Sequence, residues 1–281
     1  MKTMKSVSDK IEKIILKHGN RGMDRVHERL VPGYCQRAAQ LILDHKGVVL
    51  IGTGFPVSGS FESDGPIGAI ALYRVLVHLN FDPIFVCAPP ISKILSRGFM
   101  TYELPLESWN TSSRTVKQAL KDLRPSLIIS IERPGVAEDG HYYNMHKQNI
   151  SEATAKFDLF LHESDCPSIA FGDGGNEIGM GNVRDTLADM NIIPAVTTCD
   201  ELVIASVSNW GVYGVIAALC YLLKQDLFAL IDPEAIAGFL VQNGCVDGVT
   251  TLRETSEDGF PIQISVSMIQ QLRELVLTAQ P

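Results

Sequence analysis

Five short runs, apolar almost throughout, constrain this chain most. They are Val48-Val49-Leu50-Ile51, Ile84-Phe85-Val86-Cys87-Ala88, Leu127-Ile128-Ile129-Ser130-Ile131, Ser168-Ile169-Ala170-Phe171 and Leu202-Val203-Ile204-Ala205-Ser206-Val207. A strand with one wet face alternates apolar and polar residues, whereas a strand covered on both faces does not. Segments with helical spacing of apolar residues lie around these runs, over residues 34–45, 67–79, 113–123 and 212–223, and again over 233–243 and 264–278. Buried strands alternating with helices predict an α/β fold: a largely parallel sheet covered by helices on both faces, in a Rossmann-like three-layer arrangement. One more strand is expected at 249–252.

No low-complexity linker or internal repeat divides the chain, so residues 1–281 are expected to form a single α/β domain. Residues 1–19 read as an N-terminal amphipathic helix with Ile11, Ile14 and Ile15 on its apolar face. That segment has no secretory core, and its acidic residues Asp9 and Glu12 argue against a transit peptide. No run is long and apolar enough to span a membrane. The expected location is the cytoplasm. A net charge of −8 argues against nucleic acid or an anionic membrane as partner. Six scattered cysteines without a C-x-x-C pair read as buried reduced thiols rather than disulfides or a zinc site.

In open parallel sheets, ligands bind beyond the carboxyl ends of the strands. That rule brings together residues 52–64, 132–147, 173–182 and the pair Ser208-Asn209. The third group belongs to a loop with five glycines, Gly172-Asp173-Gly174-Gly175-Asn176-Glu177-Ile178-Gly179-Met180-Gly181-Asn182. It lacks the Lys-Ser or Lys-Thr of a P-loop and holds no well-formed G-x-G-x-x-G, so it implies no nucleotide. Asp64, Glu132, Asp173 and Glu177 would form a carboxylate cluster. Close carboxylates repel and raise one another's pKa unless a cation compensates. Oxygen-only ligands suit a divalent metal such as Mg²⁺ or Mn²⁺. Asp64 also reads as a cap for the following helix, and Trp210 as packing.

Several of these stretches together resemble one family. Ile51-Gly52-Thr53-Gly54-Phe55-Pro56, Glu62-Ser63-Asp64-Gly65-Pro66-Ile67-Gly68-Ala69 and Ile131-Glu132-Arg133 are similar to the D-glutamate cyclase family. So are Asp139-Gly140-His141-Tyr142-Tyr143-Asn144, the glycine loop and Ser208-Asn209-Trp210-Gly211, in the same order. The resemblance implies a lyase that converts D-glutamate to 5-oxo-D-proline and water with a divalent metal. Longer animal members carry an additional N-terminal domain, so the likeness covers the cyclase module.

On that chemistry Asp64, Glu132, Asp173 and Glu177 are expected to hold the metal, and Arg133 the substrate α-carboxylate. Backbone N–H groups of Gly174 and Gly175 would assist, with Asn176, Ser208 and Asn209 also contacting substrate. Asp139 is the expected general base, with His141 second. Two other classes stay open: a metal-dependent hydrolase of a small phosphorylated metabolite, and a non-enzymatic metabolite sensor. The expected partner is a small molecule, D-glutamate; association into a homo-oligomer is left open.

Overall fold

Each apolar run becomes a strand of one six-stranded sheet. The computed structural model describes residues 2–19 and 21–279, so Met1, where the expected first helix begins, lies outside the described residues. The strands are β1 (Val48–Thr53), β2 (Asp82–Cys87), β3 (Thr101–Glu103), β4 (Leu127–Ile131), β5 (Ser168–Gly172) and β6 (Glu201–Ile204). Their spatial order is β3-β2-β1-β4-β5-β6, and every neighbouring pair is parallel. This is the Rossmann order, with its switch point between β1 and β4. All five residues of β4 and of β5 are buried, which explains their unbroken apolar sequences. Edge strand β3 is short and partly exposed, and its polar sequence hid it from a search for apolar runs.

The register levels the strand ends. Thr53 lies opposite Ile131, Ile131 opposite Phe171, and Gly172 opposite Ile204. Glu132 and Asp173, the next residues after β4 and β5, therefore emerge on one edge.

The helices that frame the site are α1 (Lys2–Ile15), the short α2 (Met23–His27), α3 (Tyr34–Asp44), α4 (Pro66–His78), α5 (Trp109–Leu123), α6 (Ser208–Leu223), α7 (Pro233–Gln242) and α8 (Ile262–Thr278). Apolar all round, α6 is buried at the centre of one helical layer, against α1, α3, α4 and α8. Close approach there depends on Gly214, since a Cβ would lie 3.0 Å from Cys35 Sγ and from Ile15 Cδ1. The other layer holds α5 and a short helix, Asp158–His162. In α1, Val7, Ile11 and Ile15 are buried, as amphipathic spacing predicts. Glu12 is buried with them, accepting the Gly33 N–H at 2.9 Å at the start of α3.

One expectation changes. No strand forms over 249–252, because the Asp247 carboxylate accepts the N–H groups of Val249 and Thr250 and makes a turn instead. Extended structure appears a few residues later, as the two-residue arms Ser256–Glu257 and Phe260–Pro261 of an antiparallel hairpin. Among the described residues no disulfide joins the six cysteines, and no helix is long and apolar enough to cross a membrane.

Candidate active site

Three carboxylates meet at the switch point. Asp64 precedes α4, Glu132 follows β4 directly, and Asp173 follows β5 directly. One oxygen from each lies within 4.8 Å of the others, and all three side chains are buried. Glu132 has φ 45°, a left-handed conformation uncommon outside glycine and typical of backbone held strained at functional positions. Its neighbour Gly65, at φ 90°, leaves the room it needs: a Cβ there would meet Glu132 Cβ at 2.8 Å.

Further charge surrounds this triad. Glu62 and Asp258 line the adjoining cavity together with Glu132 and Glu177. Burial pushes the Glu62, Asp64, Glu132 and Asp173 carboxyls well above the usual range, and neighbouring carboxylates push them further. For Asp64 the repulsion comes from Asp258 and Glu257, partly offset by the N–H groups of Asn209 and Ser208. Glu132 is repelled by Glu177, Asp64 and Glu62, and accepts the Ser208 hydroxyl at 2.5 Å.

Arg21 is the cation inside this cluster. Its Nη1 donates to Asp173 Oδ1 and its Nη2 to Asp258 Oδ1, both at 2.9 Å. Burial opposes its charge, but Asp173 and Asp258 outweigh that and raise its pKa. The other Asp173 oxygen, Oδ2, is buried without a donor among the described residues, and the Asp173 carboxyl faces that of Asp258. An orphaned carboxylate oxygen in an oxygen-only, charge-excessive cluster is the donor set that a hard divalent cation satisfies. The residues fit such a cation.

The cavity measures about 580 Å³, within the range that encloses small ligands. Acidic residues and Arg21 border one part; Asn144, His146, Gln148 and Asn176 supply polar lining, and Phe55, Met190 and Ile192 apolar lining. Gly248 makes room for Glu62, since a Cβ there would fall 1.8 Å from Glu62 Oε2.

The structure distributes the sequence-predicted residues unevenly. Glu177 turns its carboxylate to its own loop, accepting the Gly174 N–H at 2.9 Å and the Gly175 N–H at 2.7 Å. Those two N–H groups, expected to assist at substrate, are thereby occupied. Asn176 lines the cavity and donates to the Tyr143 carbonyl at 2.9 Å. Ser208 and Asn209 form the first turn of α6, with Ser208 on Glu132 and the Asn209 amide in the buried layer beneath.

Arg133 is buried away from the cavity. Its guanidinium donates to the carbonyls of Gly54 at 2.6 Å and Ala155 at 2.7 Å, so the fork expected to hold a substrate carboxylate braces the main chain instead. Asp139 and His141 sit on an exposed loop. Asp139 accepts the Tyr143 hydroxyl at 2.5 Å and the His141 N–H at 3.0 Å, which hold its carboxyl below the usual range. Neither residue lines the acidic cavity; His141 borders a neighbouring cleft with Pro89 and Pro90.

Arg21, Glu62 and Asp258 join the site beyond the residues expected there. Glu62 lies two residues before Asp64 and Asp258 precedes a glycine in a turn, positions that mark them only as acids. Nothing in the spacing around Arg21 distinguishes it.

A Rossmann-ordered parallel sheet with a cavity at its switch point, beside a buried carboxylate triad that could hold a cation, defines an α/β protein of the doubly wound class. A family model described as D-glutamate cyclase-like, C-terminal, matches residues 11–273, and the chain belongs to that family. It is also 32% identical over 294 aligned residues to the Homo sapiens protein named D-glutamate cyclase, mitochondrial, covering 86% of this chain and 48% of that protein. The chain thus spans about half the length of that relative.

Proposed function

We propose that the protein is a D-glutamate cyclase, closing D-glutamate to 5-oxo-D-proline with loss of water. Family membership supports the reaction class, and the name of the human relative supports the substrate. The observation that carries the reading is convergence: Asp64, Glu132 and Asp173, from three separate motifs, meet beside one cavity rather than scattering as caps and turns.

Ring closure needs the α-nitrogen as nucleophile and the γ-carboxyl carbon as electrophile. The ammonium gives up two protons, one oxygen of the γ-carboxylate leaves as water, and an N–C bond replaces the C–O bond. Asp64, Glu132 and Asp173 would hold the divalent metal, Mg²⁺ or Mn²⁺. When bound, it supplies Lewis-acid stabilisation for the charge on the γ-carboxyl oxygens. Glu62, on the cavity wall outside the triad, is positioned to carry protons from the nitrogen to the leaving oxygen. Burial and then the neighbouring carboxylates Asp258 and Asp64 raise its pKa, which favours the protonated form that can return a proton to the leaving oxygen. It takes the part first expected of Asp139. Arg21 and Arg25 border the same cavity and are the guanidinium groups available to the α-carboxylate.

Proton NMR of the products from D- and L-glutamate tests the proposal, each with Mg²⁺, with Mn²⁺ and with chelator. Metal-dependent 5-oxoproline from the D isomer is the expected result. Folded protein that yields no product under any of these conditions overturns the cyclase. Ligand-induced thermal stabilisation without product would then point to the sensor.

A further inference from the structure

Arg21 reaches the carboxylate cluster from outside the alternation of strands and helices, on the segment between α1 and α2. It bridges two acids: Asp173, a member of the triad, and Asp258, on the hairpin after Asp247. Its side chain is 26% exposed and lines the cavity, so it can be reached by solvent and by a ligand. Asp173 is fully buried beside the Asp258 carboxyl, with one oxygen satisfied by Arg21 and the other without a donor among the described residues. A divalent ion at the triad would therefore bind a carboxylate that Arg21 already neutralises. Two cations on one buried carboxylate repel strongly, because little solvent screens them.

We infer that Arg21 is an internal counter-ion which a divalent cation displaces from Asp173, and that the released guanidinium then receives a carboxylate of the substrate. The displacement stands on the geometry of Arg21, Asp173 and Asp258; the hand-over to substrate rests on the cyclase reading. Binding is thereby ordered. The cation enters first, and the carboxylate site becomes complete only afterwards.

Calorimetric titration of Mn²⁺ into chelator-treated full-length protein tests the displacement without reference to activity. Arg21→Gln should bind Mn²⁺ at least tenfold more tightly than the unaltered protein. Arg21→Lys keeps the charge but lacks the planar fork that spans two carboxylates, so its affinity should fall between the two. Mn²⁺-loaded Arg21→Gln should also bind D-glutamate at least tenfold more weakly. Should Arg21→Gln not fold without metal, the unaltered protein still decides: the ¹⁵N signal of the Arg21 side chain should shift as Mg²⁺ saturates the site.

Unchanged or weaker Mn²⁺ binding by Arg21→Gln overturns the inference, as does an Arg21 signal indifferent to bound Mg²⁺. So does an absence of divalent binding in all three proteins. Cyclase activity that persists in any of these cases would leave the proposed reaction standing and remove only the counter-ion role.

Discussion

Asp64 and Asn209 cap each other's helices. The Asp64 carboxylate accepts the N–H groups of Ser208 and Asn209 at 2.8 Å each, at the start of α6. The Asn209 amide oxygen accepts the N–H groups of Gly65 at 3.0 Å and Gly68 at 2.7 Å, at the start of α4. Both side chains are buried, so the N–H groups of Ser208, Asn209 and Gly68 would otherwise be stranded, while Gly65 donates to both, with Asp64 Oδ1 at 2.8 Å. One triad carboxylate is thus held between two helix N-termini, where the backbone dipoles favour negative charge. The Asn209 amide nitrogen is fixed in turn by Glu257 Oε2 at 2.5 Å.

Asn209→Ala should consequently be costly. It strands the Gly68 N–H and takes the amide donor from the buried Glu257 Oε2, while the Gly65 N–H keeps Asp64 Oδ1 at 2.8 Å. Unsatisfied buried polar groups cost about 1–3 kcal/mol each, so a loss of roughly 2–4 kcal/mol is expected in urea unfolding. Weaker divalent binding should accompany it. A loss under about 0.5 kcal/mol, the scale of an ordinary surface change, would mean that water or a shifted backbone satisfies these groups and the reciprocal cap is not what holds Asp64.

Arg133→Met separates bracing from binding. A substrate clamp, when removed, raises KM and leaves the fold alone. Arg133 instead serves the carbonyls of Gly54 and Ala155. Its loss should destabilise the protein by roughly 2 kcal/mol, because the buried Gly54 carbonyl loses its charged donor and Ala155 is left with the Phe157 N–H at 2.9 Å alone. Unchanged stability with a KM raised tenfold or more would return Arg133 to the substrate.

These two residues also show how far the sequence could be read. The strands β1, β4 and β5 were legible because burial on both faces leaves an unbroken apolar run, Glu132 and Asp173 because each adjoins such a strand at its carboxyl end, and Asp64 because it stands just before the Pro66 start of a helix. The direction of Arg133 was not legible. Glu132 takes a left-handed turn at φ 45°, and no periodicity tells which way the following side chain leaves that turn. Arg21 and Asp258 were hidden for another reason. Their positions are set by tertiary packing: α1 against α6, and the hairpin anchored by the bond from Trp210 Nε1 to Glu257 Oε1 at 3.0 Å. Neither contact leaves a local pattern.

Gly248→Ala probes Glu62 without altering any titratable group. The new Cβ would fall 1.8 Å from Glu62 Oε2, so the carboxylate must swing away, and a flexible side chain can do so at little cost to the fold. Stability should change by less than about 1 kcal/mol, while kcat for the proposed cyclisation falls at least tenfold, one tenfold step being about 1.4 kcal/mol in the barrier. Full activity would show that the position of this carboxylate is not used. A large stability loss would show that the loop itself cannot accept the methyl group.

The carboxylate cluster should also invert the usual acid sensitivity of the metal-free protein. In an unfolded chain Asp and Glu titrate near about 4. In the fold, burial and then mutual repulsion raise Glu62, Asp64, Glu132 and Asp173 above that. Between the unfolded and folded values the native state binds more protons than the unfolded state, so its stability falls as pH rises. The contribution of these groups is complete below their unfolded values and is lost as pH passes through the raised ones. The slope is about 1.4 kcal/mol per pH unit for each extra proton held. Urea unfolding in chelator should therefore give lower stability at pH 8 than at pH 6. Divalent cations bind the deprotonated carboxylates and displace their protons, so stabilisation by Mn²⁺ should grow over the same interval. A chelated protein equally stable at both pH values, with a metal increment that does not change, would mean that the cluster is already neutralised from within.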